Sequence, residues 1–308
     1  LPPMLEIAAR ALSLVAIVGI GLGIKRLGWV TKEHFALFAK LVLGITLPCA
    51  LVTSFNDYHL DRALLGLTAL GLLLNVAQQG IGYLLAARRG RTEQAFAVLN
   101  SGTYNIGAFA TPYVSGFVGP HAMIYSSLFD IGNAVGSAGV GYGWGMALAG
   151  EPGAHRWRDT GRTLASSPIF VTYMGLLVLK LFELRLPDMV ITFTATVGAA
   201  NPFLAMLMIG IGLELRLHRT KYVAAARHLA VRYAFSTVVA VACWTLLPLP
   251  AEARVVLVML MFAPIASMVP GFTSKAGLDV ELSAFMASVT LVIGIVAMPT
   301  LYLALNPA

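Results

Sequence analysis

Residues 100–112 read Asn-Ser-Gly-Thr-Tyr-Asn-Ile-Gly-Ala-Phe-Ala-Thr-Pro, a polar stretch with two glycines and a proline inside an apolar run. A proline removes a backbone donor and glycine lowers helical propensity, so this stretch predicts an interrupted helix. Residues 262–271, Phe-Ala-Pro-Ile-Ala-Ser-Met-Val-Pro-Gly, have the same character in the second half of the chain. The sequence therefore predicts two broken helices at corresponding places.

Composition places both stretches in a membrane. Of the 308 residues, 58% are hydrophobic and only 11% are charged, and the mean hydropathy is +0.81. A soluble domain carries about 25% charged residues, so the outer surface of this chain is expected to face lipid. The net charge of +7 is interpreted as loop charge that sets membrane orientation, which argues against nucleic acid as a partner.

The apolar runs predict an all-α membrane protein with ten transmembrane helices, each about 17–25 residues long. The predicted spans lie near residues 4–24, 35–55, 62–86, 94–117, 121–147, 166–184, 188–213, 224–247, 253–273 and 281–304.

Basic residues alternate between the two sides of this predicted bundle. The loops after spans 1, 3, 5, 7 and 9 contain thirteen of them, namely Lys25, Arg26, Lys32, Arg88, Arg89, Arg91, Arg156, Arg158, Arg162, Arg216, Arg219, Lys221 and Lys275. The opposite side, including span ends, has five, namely Arg10, Arg62, Lys180, Arg185 and Arg254. Because loops rich in Lys and Arg stay cytoplasmic, both termini are expected outside the cytoplasm.

Three landmarks recur with an offset of 152–155 residues, namely Lys25 with Lys180, Pro48 with Pro202, and Pro112 with Pro264. Each half, residues 1–150 and residues 151–308, has five predicted spans. Because five is odd, the second copy enters the bilayer from the opposite side, and the halves become inverted repeats. This construction is common among secondary transporters. The alternative is a chance coincidence of prolines in membrane helices.

The two breaks predict a binding site near the middle of the bilayer. Each break exposes backbone donors at the positive end of the following half-helix, which favours an anion. Side-chain amides add donors for a carboxylate. The candidate substrate-binding residues are Asn100, Tyr104, Asn105, Pro112, Pro264 and Ser267. The alternative is that these residues only kink a helix and satisfy its freed carbonyl groups.

A second candidate group concerns ion coupling. Asp130 is the only acidic residue well inside a predicted span, and Asn133 follows one helical turn later. An intramembrane acid is costly unless paired or hydrated, so Asp130 is a candidate for binding H⁺ or Na⁺. Its alternative role is that of a structural acid that caps a broken helix. Asn75, Gln78 and Gln79 in span 3 either line the path or join helices by hydrogen bonds.

No catalytic or metal-binding constellation is predicted. Hydrolysis or group transfer within the bilayer would need a nucleophile–base pair or two carboxylates at one depth. One aspartate without an intramembrane histidine argues against an enzyme, and no cofactor is expected apart from a coupling ion. A sensor or assembly subunit with a transporter fold stays open.

The chain resembles the auxin efflux carrier family, which includes plant exporters and bacterial malate and malonate permeases. The resemblance rests on the order and spacing of five loose motifs over nearly the whole chain. The first two are Lys25-Arg26 after span 1 and Leu47-Pro48 with Ala50-Leu51 in span 2. The third is Asn105 before Pro112, followed by Gly119, Asp130 and Asn133. The last two are Pro202 before residues 209–213, and Ala263-Pro264 before Thr290 and Pro299. Ser267 and Met268 stand where relatives often carry asparagine.

The resemblance implies a fold similar to bile-acid symporters and Na⁺/H⁺ antiporters, in which broken spans 4 and 9 cross. Spans 1, 2, 6 and 7 would form a scaffold, and spans 3–5 and 8–10 a transport domain with an elevator motion. Asn105 would contact the carboxylate of a small mono- or dicarboxylate, in symport or another mode. A bacterial inner membrane and a homodimer through the scaffold are also implied. A Na⁺-coupled symporter for a larger, bile-acid-like anion is the second reading.

Overall fold

The computed structural model describes residues 3–31, 33–56, 58, 62–150, 161–162 and 164–305. Within these ranges the chain forms helices and connecting turns and contains no β-strand, which agrees with the predicted all-α class. Lys32, Arg156 and Arg158 of the predicted cytoplasmic loops lie outside the described residues. So do residues 151–160, where the second predicted repeat begins.

The described α-helices follow the apolar runs and their Gly, Pro and charged boundaries. In chain order they are α1 (Pro3–Arg26), α2 (His34–Leu41), α3 (Leu47–Asn56), α4 (Gly66–Leu85), α5 (Arg91–Ser101), α6 (Thr111–Val118), α7 (His121–Ala134), α8 (Tyr142–Ala149), α9 (Pro168–Leu181), α10 (Asp188–Gly198), α11 (Asn201–Gly212), α12 (Tyr222–Leu246), α13 (Ala251–Leu260), α14 (Val269–Lys275) and α15 (Val280–Leu305). The described chain also has three π-helices. Val42–Thr46 connects α2 to α3, Ile106–Ala110 leads into α6, and Val135–Gly141 connects α7 to α8.

Six helical stretches of the described chain are long and apolar enough to cross a membrane. They are Ala8–Arg26, His34–Asn56, Ala63–Leu85, Asp188–Gly212, Arg219–Leu246 and Val280–Leu305. These stretches correspond to predicted spans 1, 2, 3, 7, 8 and 10. Predicted spans 4 and 9 are interrupted, span 6 is the shorter apolar helix Pro168–Leu181, and span 5 combines α7, a π-helix and α8. The architecture is that of an all-α membrane protein, and the count of ten spans stays a prediction.

The two interrupted segments lie at the centre of the molecule. Every residue from 94 to 114 is buried, as are residues 122–133 of α7, while α1, α9 and α12 each have an exposed apolar side. Residues 263–266 of the second interrupted segment are buried too. Irregular backbone is therefore surrounded by protein, as a non-polar solvent requires.

Two lysines make equivalent contacts in opposite halves. Lys25, at the end of α1, donates a hydrogen bond from Nζ to the carbonyl of Leu213, just past α11, at 2.8 Å. Lys180, near the end of α9, donates to the carbonyl of Asn56, the last residue of α3, at 2.6 Å. Each cation thus binds a carbonyl at the C-terminus of a helix in the other half, where the helix dipole is negative.

Close helix contacts depend on glycine where α4 crosses α7. A Cβ on Gly132 would lie 1.9 Å from the carbonyl oxygen of Thr68 and 2.6 Å from the amide nitrogen of Leu72, both backbone atoms. Gly71 makes the reciprocal approach to the carbonyl of Phe129. Small residues that bring backbones together are a typical feature of membrane helix pairs. This contact holds Asp130, two residues before Gly132, in the protein interior.

Gly132→Ala is expected to lower the melting temperature of the purified protein by several degrees. Its methyl group meets backbone on a neighbouring helix, and overpacking of this kind costs about 1–3 kcal/mol. Gly80→Ala is the matched control, because a Cβ on Gly80 in α4 meets nothing within 4 Å. That change is expected to be neutral or slightly stabilising, since alanine favours helix. Equal melting temperatures for the two variants would contradict the role of Gly132.

Candidate functional site

The two interruptions meet in space. The backbone N–H of Asn105 donates to the carbonyl oxygen of Pro264 at 2.8 Å, which joins the first interrupted segment to the second. On the far side of Pro264, the N–H of Ile265 donates to the Thr290 hydroxyl of α15 at 3.0 Å. The Asn105 N–H, the Pro264 carbonyl and the Ile265 N–H have no helical hydrogen-bond partner here. They are satisfied by the bond between the two segments and by the Thr290 hydroxyl.

The first interruption lies at residues 102–105, between α5 and the π-helix Ile106–Ala110, and not at Pro112. Pro112 is the second residue of α6 and continues the half-helix that follows the interruption. The wider π-turn before it offers a physical reason, because it rearranges the carbonyls that a proline would otherwise leave unpaired. The second interruption, residues 261–268, does contain Pro264.

A cavity of about 460 Å³ lies beside this crossing. Its lining is mostly apolar, with polar groups from Asn105, Ser267, Ser274 and Ser288 and two carboxylates, Glu33 and Glu214. Of the predicted substrate-binding residues, Asn105 and Ser267 line it. Asn100, Tyr104, Pro112 and Pro264 lie outside its lining.

The side-chain amide of Asn105 is available to a ligand. Asn105 is 7% exposed and borders the cavity, and within the described part of the chain its amide has no hydrogen-bond partner. The position comes from its backbone, which is fixed to Pro264 on one side and accepts a bond from the Ala110 N–H on the other. A donor held in place without a protein partner is what a binding site needs.

Asn100 and Tyr104 have structural partners instead. Asn100 donates to the Thr273 hydroxyl at 3.2 Å and accepts from the Ser283 hydroxyl at 2.6 Å, which connects α5 to α14 and α15. The Tyr104 hydroxyl donates to Gln78 Oε1 at 2.6 Å. Both side chains are buried, so they stabilise the crossing from within.

The predicted coupling residues form one buried network behind the first interruption. Asn75 donates to Asn133 Oδ1 at 2.9 Å and to the Ser137 hydroxyl at 2.8 Å, and Gln79 donates to Asn75 Oδ1 at 2.5 Å. Asn133 in turn exchanges bonds with the backbone of Tyr104, donating to its carbonyl and accepting from its N–H. The geometry is that of interhelical hydrogen bonding, one of the two roles predicted for Asn75, Gln78 and Gln79.

Asp130 belongs to this network and contacts three donors. Its carboxyl accepts from Asn133 Nδ2 at 2.8 Å, from the Tyr173 hydroxyl at 3.0 Å, and from the backbone N–H of Gly107. Gly107 is the second residue of the half-helix after the interruption. The carboxyl therefore caps that half-helix at its positive end. Through Tyr173 it also reaches α9, which belongs to the other half of the chain.

Arg232 is a site residue that is not among the predicted ones. It is 1% exposed, near the middle of α12, and its guanidinium donates to the carbonyls of Ser101 and Thr103 at 2.5 and 2.9 Å. A third bond, at 2.9 Å, goes to the carbonyl of Ala263 in the second interruption. The signal was present, since an arginine inside predicted span 224–247 is costly in lipid and indicates a function.

The fold and the site define a class: an all-α membrane protein in which two interrupted helices meet beside a partly polar cavity. Among the described residues, no group of three or more His, Cys, Asp or Glu side chains is arranged to hold a metal ion. No protein-family model matches this chain, and no curated protein sequence matches it either.

Proposed function

We propose that this chain is a secondary active transporter for a small organic anion, and not an enzyme. The observation that carries the proposal is the bond from Asn105 N to Pro264 O beside a cavity of about 460 Å³. Broken helices that meet near the midplane are a recurrent design of carriers, because their ends provide backbone groups for substrate and ions. The cavity volume is in the range of small-molecule sites.

The proposed fold is ten spans in two inverted repeats, residues 1–150 and 151–308. The reciprocal contacts of Lys25 and Lys180 support it, since each caps the proline-containing helix of the other half. Pro48 and Pro202 are each the second residue of such a helix, α3 and α11. The Thr46 hydroxyl donates to Asn201 Oδ1 at 3.0 Å where those helices begin.

The proposed division into a scaffold and a mobile transport domain has support from helix neighbours. In the scaffold, α1 packs along α11 and α3 packs along α10. In the transport domain, α4 packs along α7 and α5 along α8. An elevator motion would carry the crossing past the scaffold, and the Tyr173–Asp130 bond is a contact that such a motion has to break.

The orientation proposed from loop charge makes the cavity accessible from the cytoplasm. Its lining includes Glu33, Phe35, Ala36, Leu213, Glu214 and Val280, which adjoin the loops assigned to that side. On the opposite side, the Tyr58 hydroxyl donates to the Tyr125 hydroxyl at 3.4 Å, and His121 lies 3.5 Å from Glu252. The conformation is then inward-open in a bacterial inner membrane.

The cavity favours a monocarboxylate over a dicarboxylate. Among the described residues that line it, none is a lysine or arginine, and Glu33 and Glu214 are acidic. One carboxylate can be held by neutral donors such as Asn105 and Ser267, whereas a second would lack a partner. A buried charge without a partner is strongly disfavoured.

A Na⁺-coupled symporter for a bile-acid-like anion is less well supported. It would need several free oxygen ligands near the crossing. Asn75 and Asn133 have their side-chain oxygens occupied by amide donors of the same network. Coupling to H⁺ through Asp130 is compatible with the geometry.

Uptake by the purified protein in liposomes tests the proposal. Radiolabelled monocarboxylates are expected to enter saturably and faster than dicarboxylates, with and without Na⁺ or pH gradients as separate conditions. Protein-free liposomes provide the background. If no organic anion is bound or transported under any of these gradients, the carrier function is excluded.

A further inference from the structure

The carbonyl groups around Arg232 come from both interrupted helices. Ser101 is the last residue of α5, and Thr103 lies in the interruption that follows. Ala263 lies three residues beyond the end of α13. The guanidinium also lies over the Tyr104 ring, 5.0 Å from its centroid, which adds a cation–π contact.

These carbonyls attract a cation. The C-terminus of a helix carries a partial charge of about −0.5, so two helix ends at one point amount to about −1. A single guanidinium balances that charge and supplies the hydrogen bonds that the carbonyls lack. In carriers with broken helices, the same kind of carbonyl group can coordinate a coupling Na⁺.

We infer that the Arg232 side chain serves as a permanent cation at the helix crossing. It takes the position in which a carrier of this design could bind a coupling ion such as Na⁺ from solution. Arg232 is a positioning residue, because it contacts the crossing and not the cavity. It fixes the C-terminal ends of α5 and α13, the two helices that precede the interruptions, and thereby the backbone that presents Asn105. Binding at the crossing then needs no Na⁺ at this point. The consequence for transport rests on the proposed function, whereas the cation site itself does not.

Chemical rescue tests the inference. Arg232→Ala leaves a carbonyl-lined space, and free guanidinium or Na⁺ is expected to occupy it. Millimolar guanidinium chloride or NaCl should raise the melting temperature of this variant by a few degrees above that in choline chloride at equal ionic strength. Wild type and Arg254→Ala should show no such difference between the salts. Arg254 is the matched control, since its guanidinium also binds one carbonyl, that of Trp244 at 2.9 Å, and lies over that tryptophan's ring, 5.0 Å from its centroid.

The transport readout is separate. Uptake by Arg232→Ala is expected to fall at least tenfold and to recover in part with guanidinium, but not with choline. If wild type transports no anion, the carrier proposal fails while the melting data still decide the role of Arg232. Identical melting of Arg232→Ala in all three salts would overturn the inference.

A second pair of variants covers the case in which Arg232→Ala does not fold. Arg232→Lys keeps a positive charge, and Arg232→Gln is neutral and keeps a hydrogen-bond donor, on a side chain one bond shorter than that of lysine. We expect Arg232→Lys to be the more stable of the two, and both to be less stable than wild type. Lysine is a point charge that cannot span three carbonyls as the planar guanidinium does. Equal stability of the two variants would show that the charge has no role.

Discussion

Asn105→Ala is expected to lower kcat/KM for uptake about 10- to 100-fold in proteoliposomes, because it removes a side-chain amide that borders the cavity at the crossing. A hydrogen bond to a charged group contributes about 1.5–3 kcal/mol, which corresponds to that range. The backbone bond from Asn105 to Pro264 does not involve the side chain, so the crossing itself should persist. Initial uptake rates over a range of substrate concentrations measure the effect.

Asn105→Asp tests whether the side chain at position 105 contacts an anionic substrate. The substitution preserves shape but presents an oxygen, and at neutral pH a negative charge, to the substrate carboxylate. Uptake of an anion is expected to fall below that of Asn105→Ala, since like charges in a poorly hydrated site repel strongly. A carrier of cations would show the opposite order. That order would contradict an anionic substrate, and full activity in both variants would remove Asn105 from the binding site.

Asn201→Ala is the control for loss of a buried asparagine. Asn201 is fully buried at the start of α11 and accepts a hydrogen bond from Thr46, outside the cavity lining. Its truncation is expected to reduce the melting temperature without changing the substrate concentration at half-maximal uptake. A change in that concentration comparable to the change for Asn105→Ala would indicate that neither effect is specific.

Helix positions were predictable because they depend on apolar runs and their boundaries. Predicted span 281–304 corresponds to α15 (Val280–Leu305), and predicted span 224–247 to α12 (Tyr222–Leu246). The interruptions are predictable in kind, and the first lies within the polar stretch 100–112, but local sequence does not show that it falls at residues 102–105 and not at Pro112. Its position depends on tertiary contacts, since Gly102 packs against the backbone of Asn75 and Gln79, and Arg232 binds the flanking carbonyls.

The site was predictable in part. Asn100 and Asn105 are five residues apart and look alike in sequence, yet only Asn105 borders the cavity. Asn100 meets Thr273 and Ser283 from the other half of the chain, and such pairings between distant residues leave no local pattern. Arg232 differs, because its cost in lipid is a property of the sequence alone and could have been recognised.

Asp130→Ala is expected to abolish uptake and to lower the melting temperature. The substitution leaves the Gly107 N–H, the Tyr173 hydroxyl and the Asn133 amide without their acceptor. An unsatisfied buried donor costs about 1–3 kcal/mol, and the three donors lie on separate elements that converge at the first interruption. Thermal unfolding and uptake of the same preparation measure both effects. A stable, active Asp130→Ala would contradict the capping role.

Asp130→Asn separates capping from proton coupling. Its amide oxygen still accepts two hydrogen bonds, but the NH₂ group must face one donor, so moderate destabilisation is expected. The amide cannot exchange a proton with solvent. The ratio of uptake with and without a pH gradient should therefore fall to one in this variant. Tyr173→Phe is the control, because it removes one donor and keeps the carboxyl, and it should retain the wild-type ratio. A ratio in Asp130→Asn equal to that of wild type would limit Asp130 to holding the half-helix in place.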